Sequence, residues 1–150
     1  GQGTMTAPNS VAVQKCIQDA INNAGIHPNE IDTINGHLTA TTKDTLEIQN
    51  WSEALNRSGI DFPYINSLKS MIGHCLSGAG SIESVAAVLQ LHHGFIFPNI
   101  NCEDLNPDIT AIIDARRIPQ ELIKKELNII AKASFGFGDV NGCVIFKKYN

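Results

Sequence analysis

Two histidines and a lysine, His37, Lys69 and His74, stand beside glycines just past the ends of apolar runs. An imidazole donates, accepts or moves a proton near neutral pH, and neutral donors aimed at one point stabilise a developing oxyanion or enolate. His37 closes the β-branched run from Ile31 to Gly36, and Lys69 and His74 follow the run from Phe62 to Ser67. Sheets of α/β proteins take ligands beyond the carboxyl ends of their strands. Independent routes along the chain therefore bring two imidazoles and an ammonium to one edge. A lone histidine is more often structural, and the convergence is what singles these out. The glycines beside His74 permit close backbone approach. They also bring up the N-terminus of the next helix, which disfavours a charged imidazole. Glu83, early in that helix, could pair with Lys69, although its spacing alone fits a solvent-facing charge.

The other nucleophiles and ligands offer less. Cys16, Cys75, Cys102 and Cys143 contain no CxxC pair, so a structural zinc site is not expected, and neither is a disulfide framework in a chain able to build a full core. Cys16 and Cys143 read as core, and Cys75, although next to His74, lacks an evident thiolate-stabilising setting. His92, His93 and Cys102 match no ligand spacing scheme, so no metal is expected.

The elements that must hold these residues follow from periodicity. Val13, Ile17, Ala20, Ile21 and Ala24 lie on one face of a helix beginning near Asn9 and stopping at Gly25. Ile31 to Gly36 and Phe62 to Ser67 read as strands. Thr41 and Asp44 have the spacing of a capping box that opens a helix over 42–56. A long helix over 79–93 carries Ile82, Val85, Ala86 and Leu89 on one face, and is apolar or small nearly all round. Such a helix is normally buried on more than one side. Residues 99–126 read mostly as loop. Leu127 to Phe135 and Gly142 to Lys148 read as two strands whose short connection makes them antiparallel. Helix and strand alternation before them indicates parallel pairing, and the whole is a mixed α/β sheet.

Composition bounds the function classes. The chain has 150 residues, 43% of them apolar and 17% charged, and a formal net charge of −4. That is one globular domain. The balance is wrong for a nucleic-acid binder, whose basic stripe is missing. No apolar run approaches the roughly 20 residues that span a bilayer, so no membrane partner is expected. A cytoplasmic setting is expected from the unpaired cysteines.

Several stretches then resemble one family in order and separation: Met5-Thr6-Ala7-Pro8, Ile34-Asn35-Gly36-His37-Leu38-Thr39-Ala40-Thr41, Lys69-Ser70-Met71-Ile72-Gly73-His74, Gly80-Ser81-Ile82-Glu83-Ser84, and Ser134-Phe135-Gly136-Phe137-Gly138 with Asn141-Gly142. Together they resemble the C-terminal half of the elongating β-ketoacyl-[acyl-carrier-protein] synthases, condensing enzymes of the thiolase fold. The resemblance implies that residues 1–150 form a thiolase-like domain, with a mixed five-stranded sheet and helices on both faces. It implies decarboxylative condensation of malonyl-carrier protein with an acyl thioester held on a cysteine of an N-terminal half that this sequence lacks. It also implies His37 and His74 as the histidines that stabilise the enolate, with Lys69 and its partner Glu83 supporting them. Thr39 and Thr41 would contact the phosphopantetheine arm. Phe137, with Phe135 nearby, would gate and line the acyl path.

No cofactor is implied beyond the arm carried by acyl carrier protein. The implied partners are that carrier, the N-terminal half and, at full length, a second copy in a homodimer. Leu38 stands where the family has glycine, and Asp139-Val140 stands where it has Gly-Thr. These departures leave a second reading open, a divergent, non-condensing partner subunit of the kind that sets chain length.

Overall fold

The computed structural model describes residues 8–149, so Met5, Thr6 and Ala7 of the first matching stretch lie outside the described residues. Helix α1 (Ser10–Ala24) opens where the Asn9 side chain accepts the Ala12 N–H. It closes at Gly25, whose left-handed φ of 63° suits a residue without Cβ. Then come β1 (Thr33–Asn35), α2 (Asp44–Leu55), β2 (Tyr64–Asn66), the single turn α3 (Lys69–Ile72) and α4 (Ala79–His93). After them run β3 (Phe95–Ile96), the short α5 (Pro107–Thr110), β4 (Ile123–Lys124), β5 (Ile129–Phe135) and β6 (Asn141–Lys147).

The main sheet has the order β2-β1-β5-β6. β1 lies parallel to both β2 and β5, and β5 runs antiparallel to β6. The mixed α/β sheet is as expected, but among the described residues it has four strands rather than five. β3 pairs instead with β4 in a separate two-stranded ribbon. The outer edge of β2 shows why no fifth strand is needed there. The Asn99 side chain accepts the Ser67 N–H at 2.9 Å and donates to the Ile65 carbonyl at 3.1 Å. One amide thus makes bonds that a neighbouring strand would supply. Pro98, without an N–H, precedes it and could not serve a ladder.

Helices cover both faces. Ile34, Ile65, Ala131 and Ala133 share one face, beneath Val13, Ile17 and Ile21 of α1 and Ile48, Trp51 and Leu55 of α2. The strand register puts Asn35 opposite both Asn66 and Lys132 on the other face, under α4. That polar row corrects the expectation for α4. Its buried residues are Ala79, Glu83, Ala87, Gln90 and Leu91, because Glu83 and Gln90 meet polar partners on the sheet. Gln90 Oε1 accepts from Asn66 Nδ2 at 2.8 Å and from the Phe97 N–H at 3.1 Å. The apolar face turns outward, with Ile82, Val85, Val88 and Leu89 43–58% exposed.

Helix α2 also begins later than expected, at Asp44. Thr41 Oγ1 accepts from the Lys43 N–H rather than from residue 44. The reciprocal half of the box does form, as the Asp44 carboxylate gathers the N–H groups of Thr39, Ala40 and Thr41 at 3.1–3.4 Å. A three-pronged carboxylate holds this turn more firmly than one hydroxyl could, and Ala40 accordingly accepts a left-handed φ of 57°.

The outward apolar face of α4 should bind a hydrophobic dye such as ANS. Val88→Asp should lower that binding with little shift of the urea midpoint, since Val88 is 45% exposed and belongs to neither buried cluster. Unchanged dye fluorescence in the variant would show that the face is not the dye's site.

Candidate functional site

Three parallel strands, β1, β2 and β5, end at the same edge, and each delivers part of one site. β1 runs through Gly36 into His37. β2 runs through Ser67 into Lys69 and, past α3, His74. β5 ends at Phe135, and Phe137 follows in a tight turn. The His37 and His74 rings meet edge to face with centroids 5.4 Å apart. Phe135 stands edge-on to His37 at 6.4 Å and tilted toward Trp51 at 6.5 Å, so the core fixes one wall of the site.

A cleft of about 510 Å³ is lined by His37, Thr39, Thr41, His74, Phe135 and Phe137, with Glu47 at its base. The sequence-predicted binding residues therefore do converge on the two histidines. The Thr39 and Thr41 hydroxyls lie 3.3 Å apart. Phe137 is 71% exposed, carried on a turn where Gly138 and Asp139 both take positive φ. Lys69 and Glu83 do not line this cleft. They sit behind it, buried, with Lys69 Nζ 2.5 Å from Glu83 Oε1. The pairing follows the resemblance, and the solvent-facing alternative for Glu83 is set aside by its 1% exposure.

Two groups absent from the sequence reading complete the arrangement. Lys132, on β5, places its Nζ 2.5 Å from Glu83 Oε2. The signal was available: a lysine inside the apolar run Ile129-Ile130-Ala131-Lys132-Ala133 has no solvent to reach unless the strand ends. Glu47, on α2, accepts the His37 N–H at 2.7 Å and the Leu38 N–H at 2.9 Å, which fastens the turn after β1. Gly36 must stay small there, since a Cβ would stand 3.0 Å from Glu47 Oε1. Leu38 itself takes no left-handed φ. Its side chain packs against the main core, so the backbone does not demand glycine at that position.

The electrostatics favour a neutral His37 ring. Burial, then the positive charges around Lys69, His74 and Lys132, lower the His37 pKa to about 4, against a smaller opposing pull from Glu83. His74 is exposed, and its Nδ1 accepts the Leu76 N–H at 3.0 Å. In the neutral ring the proton then sits on Nε2, a donor free for a ligand. The turn at Leu76–Gly78 separates His74 from α4, so this single N–H does the local work expected of the helix N-terminus. Burial raises the Glu47 pKa to about 7, although its two backbone bonds oppose the shift. Burial also pushes Cys143 up to about 12 and raises Cys16 and Cys102. None of those three thiols is set up as a nucleophile. Among the described residues no group of three His, Cys, Asp or Glu is placed to hold a metal.

Comparison with known proteins points one way. Residues 1–103 match the family described as the C-terminal domain of beta-ketoacyl synthase. The chain is 36% identical over 149 residues to the chloroplastic 3-oxoacyl-[acyl-carrier-protein] synthase I of Arabidopsis thaliana, covering 97% of this chain and 30% of that one. Among solved structures it is similar to the ishigamide ketosynthase/chain length factor, with a TM-score of 0.89 and 29% identity over 99% of this chain and 35% of that one. It is also similar to a type II polyketide acyl-carrier protein complex with its ketosynthase, with a TM-score of 0.82 and 27% identity over 100% of this chain and 36% of that one. The chain spans about a third of the length of these relatives.

The low His37 pKa carries a sign. The folded ring holds its proton less tightly than the unfolded one, so unfolding takes up a proton between about pH 6.5 and about pH 4. The stability from the neutral ring is complete above that window and is lost as pH falls through it. Urea unfolding of the unaltered chain and of His37→Asn across pH 4–7 checks this. The variant should lose part of the acid-side decline, and identical slopes would contradict the assignment.

Proposed function

The chain belongs to the β-ketoacyl synthase family, as its C-terminal domain, and on that premise we propose that it supplies the decarboxylation half of a 3-oxoacyl-[acyl-carrier-protein] synthase site. The observation that carries the reading is the contact of two imidazoles at one sheet edge above a buried Lys69–Glu83 pair. In this reading a malonyl thioester enters the cleft with its carbonyl oxygen between His37 and His74. Both rings donate hydrogen bonds to that oxygen. Loss of CO₂ leaves its electron pair as an enolate on the thioester, and preorganised donors stabilise that charge as it forms. The enolate carbon then attacks an acyl thioester, forming the new carbon–carbon bond and releasing the acyl group's thiolate carrier.

That acyl thioester needs a cysteine nucleophile, which we assign to an N-terminal half outside residues 1–150. The raised pKa of Cys16, Cys102 and Cys143 supports this. Thr39 and Thr41 line the cleft, and in this reading they meet the phosphopantetheine arm of malonyl-carrier protein, while Phe137, on its exposed turn, opens or closes the acyl path. Acyl carrier protein is the proposed partner in trans, as a carrier is in the ketosynthase complex similar to this chain. The preceding half and a second full-length copy are the remaining proposed partners, in a reducing, cytoplasmic setting. Retention of His37, Lys69, His74 and Glu83 in a connected cluster supports the condensing reading over a non-condensing partner subunit. Leu38 fits the site with ordinary backbone geometry, and Asp139 is a residue type that tolerates its positive φ.

Two outcomes are expected. The chain alone, offered an acyl thioester probe, should not be acylated at any of its four cysteines at the rate of an active-site thiolate. Mass spectrometry of the labelled chain decides this, and fast labelling would place the nucleophile here. In a synthase carrying this chain, His74→Ala should slow release of CO₂ from malonyl-carrier protein by roughly 10²–10³-fold, the scale of losing one oxyanion donor. Acyl transfer to the synthase should stay within a few-fold of the unaltered protein. Equal loss of both steps would mean that His74 serves another role.

A further inference from the structure

Glu83 is a carboxylate with two ammonium partners, and only one of them, Lys69, has been given a part in the proposed reaction. Lys69 Nζ takes Oε1 and Lys132 Nζ takes Oε2, each at 2.5 Å, and all three side chains are at most 5% exposed. Lys132 Nζ donates to the Ala133 carbonyl and to Ser134 Oγ, the latter at 2.8 Å, and meets Glu83 Oε2 as an ion pair. The lysine is therefore built in, on a strand whose register sets it beside Asn35 at the carboxyl end of β1. β1 continues directly into His37.

We infer that Lys132 is a positioning residue of this site: its ammonium holds the second oxygen of Glu83, so that the carboxylate stays on Lys69 and the buried cluster behind the histidine pair keeps an excess of positive charge. A single lysine would be cancelled by Glu83, whereas two leave a positive field at the cleft. That field opposes protonation of His37 and favours the negative charge of an enolate between the two imidazoles, so the functional part of the inference rests on the reading of His37 and His74 as enolate donors. The groups facing His37 are Lys69 from α3, His74 from the following loop, Lys132 from β5 and Glu83 from α4, with Glu47 of α2 on its backbone N–H. Glu47 weakens the excess only in part, because burial holds its pKa near 7.

The test compares Lys132→Met, which keeps the length and removes the charge, with Lys132→Arg, which keeps the charge. The readout is the NMR titration of the His37 imidazole in this chain. With methionine the His37 pKa should rise by about one unit, the usual effect of losing one nearby charge. With arginine it should stay within a few tenths of the unaltered value. Should the methionine variant not fold, Lys132→Gln replaces it, as its amide still donates to the Ala133 carbonyl and Ser134 Oγ. A His37 titration unmoved in the neutral variant, or moved equally by arginine, overturns the inference. In a synthase carrying this chain, the neutral variant should lower kcat for decarboxylation about tenfold with KM little changed, the pattern of a lost transition-state interaction. An unaltered synthase that releases no CO₂ would refute the enolate reading of the site, while the titration would still decide whether Lys132 sets the field at His37.

Discussion

A carboxylate taken out of water is among the most expensive things a fold can contain, and Glu83 is 1% exposed. It is tolerable only because two ammonium groups reach it from two other elements, Lys69 from the turn after β2 and Lys132 from β5. The consequence runs outward. Helix α4 must dock with a polar face inward, and the sheet must offer a polar row to receive it. Asn66 meets Gln90 in that row, and Lys132 meets Glu83. Breaking such a buried pair from one side leaves an uncompensated charge, with losses of about 3–5 kcal/mol. The helix is thus fixed in rotation and in height along the sheet. The chain that leads into it, with His74, is fixed along with it.

The geometry of the candidate site is a by-product of that docking and of a second carboxylate. Glu47 takes two successive backbone N–H groups after β1 and sets the direction in which His37 leaves the strand. His74 is oriented by one backbone bond from Leu76, a residue at φ 49° in a conformation that branched side chains rarely adopt. The two histidines are therefore held by different means, one from a buried helix and one by a strained surface turn. This matches their surroundings, since His37 is half-buried against Phe135, which leans on Trp51, whereas His74 is exposed.

Much of this was legible in the sequence, and the reasons for the rest are physical. Helix α1 announces itself by Val13, Ile17 and Ile21 and by its flanking Asn9 and Gly25. The convergence of His37, Lys69 and His74 follows from the rule that strands end where ligands bind. Periodicity finds the α4 stripe but not the side it takes, because hydrophobic patterning alone carries no information about polar partners across the sheet. Here the inward face is chosen by Glu83 and Gln90, whose partners lie on strands remote in sequence. Lys132 was missed because a lysine in a strand is ordinarily exposed, and only the tertiary structure shows that this one ends on a carboxylate. The strand count failed because Asn99 supplies by its side chain what a fifth strand would supply by its backbone. No local pattern distinguishes that asparagine from one in any loop.

The Asn99 amide has a consequence for how the sheet ends. A strand at an edge is a template, since its free donors and acceptors repeat and any extended segment can copy the repeat. An amide side chain satisfies the Ser67 N–H and the Ile65 carbonyl but carries no onward row of its own. The β2 edge is therefore terminated rather than extended. Strand addition there would first have to expel a buried amide that also donates to the Pro119 carbonyl, and on this side the molecule carries its own safeguard against fibril-like pairing.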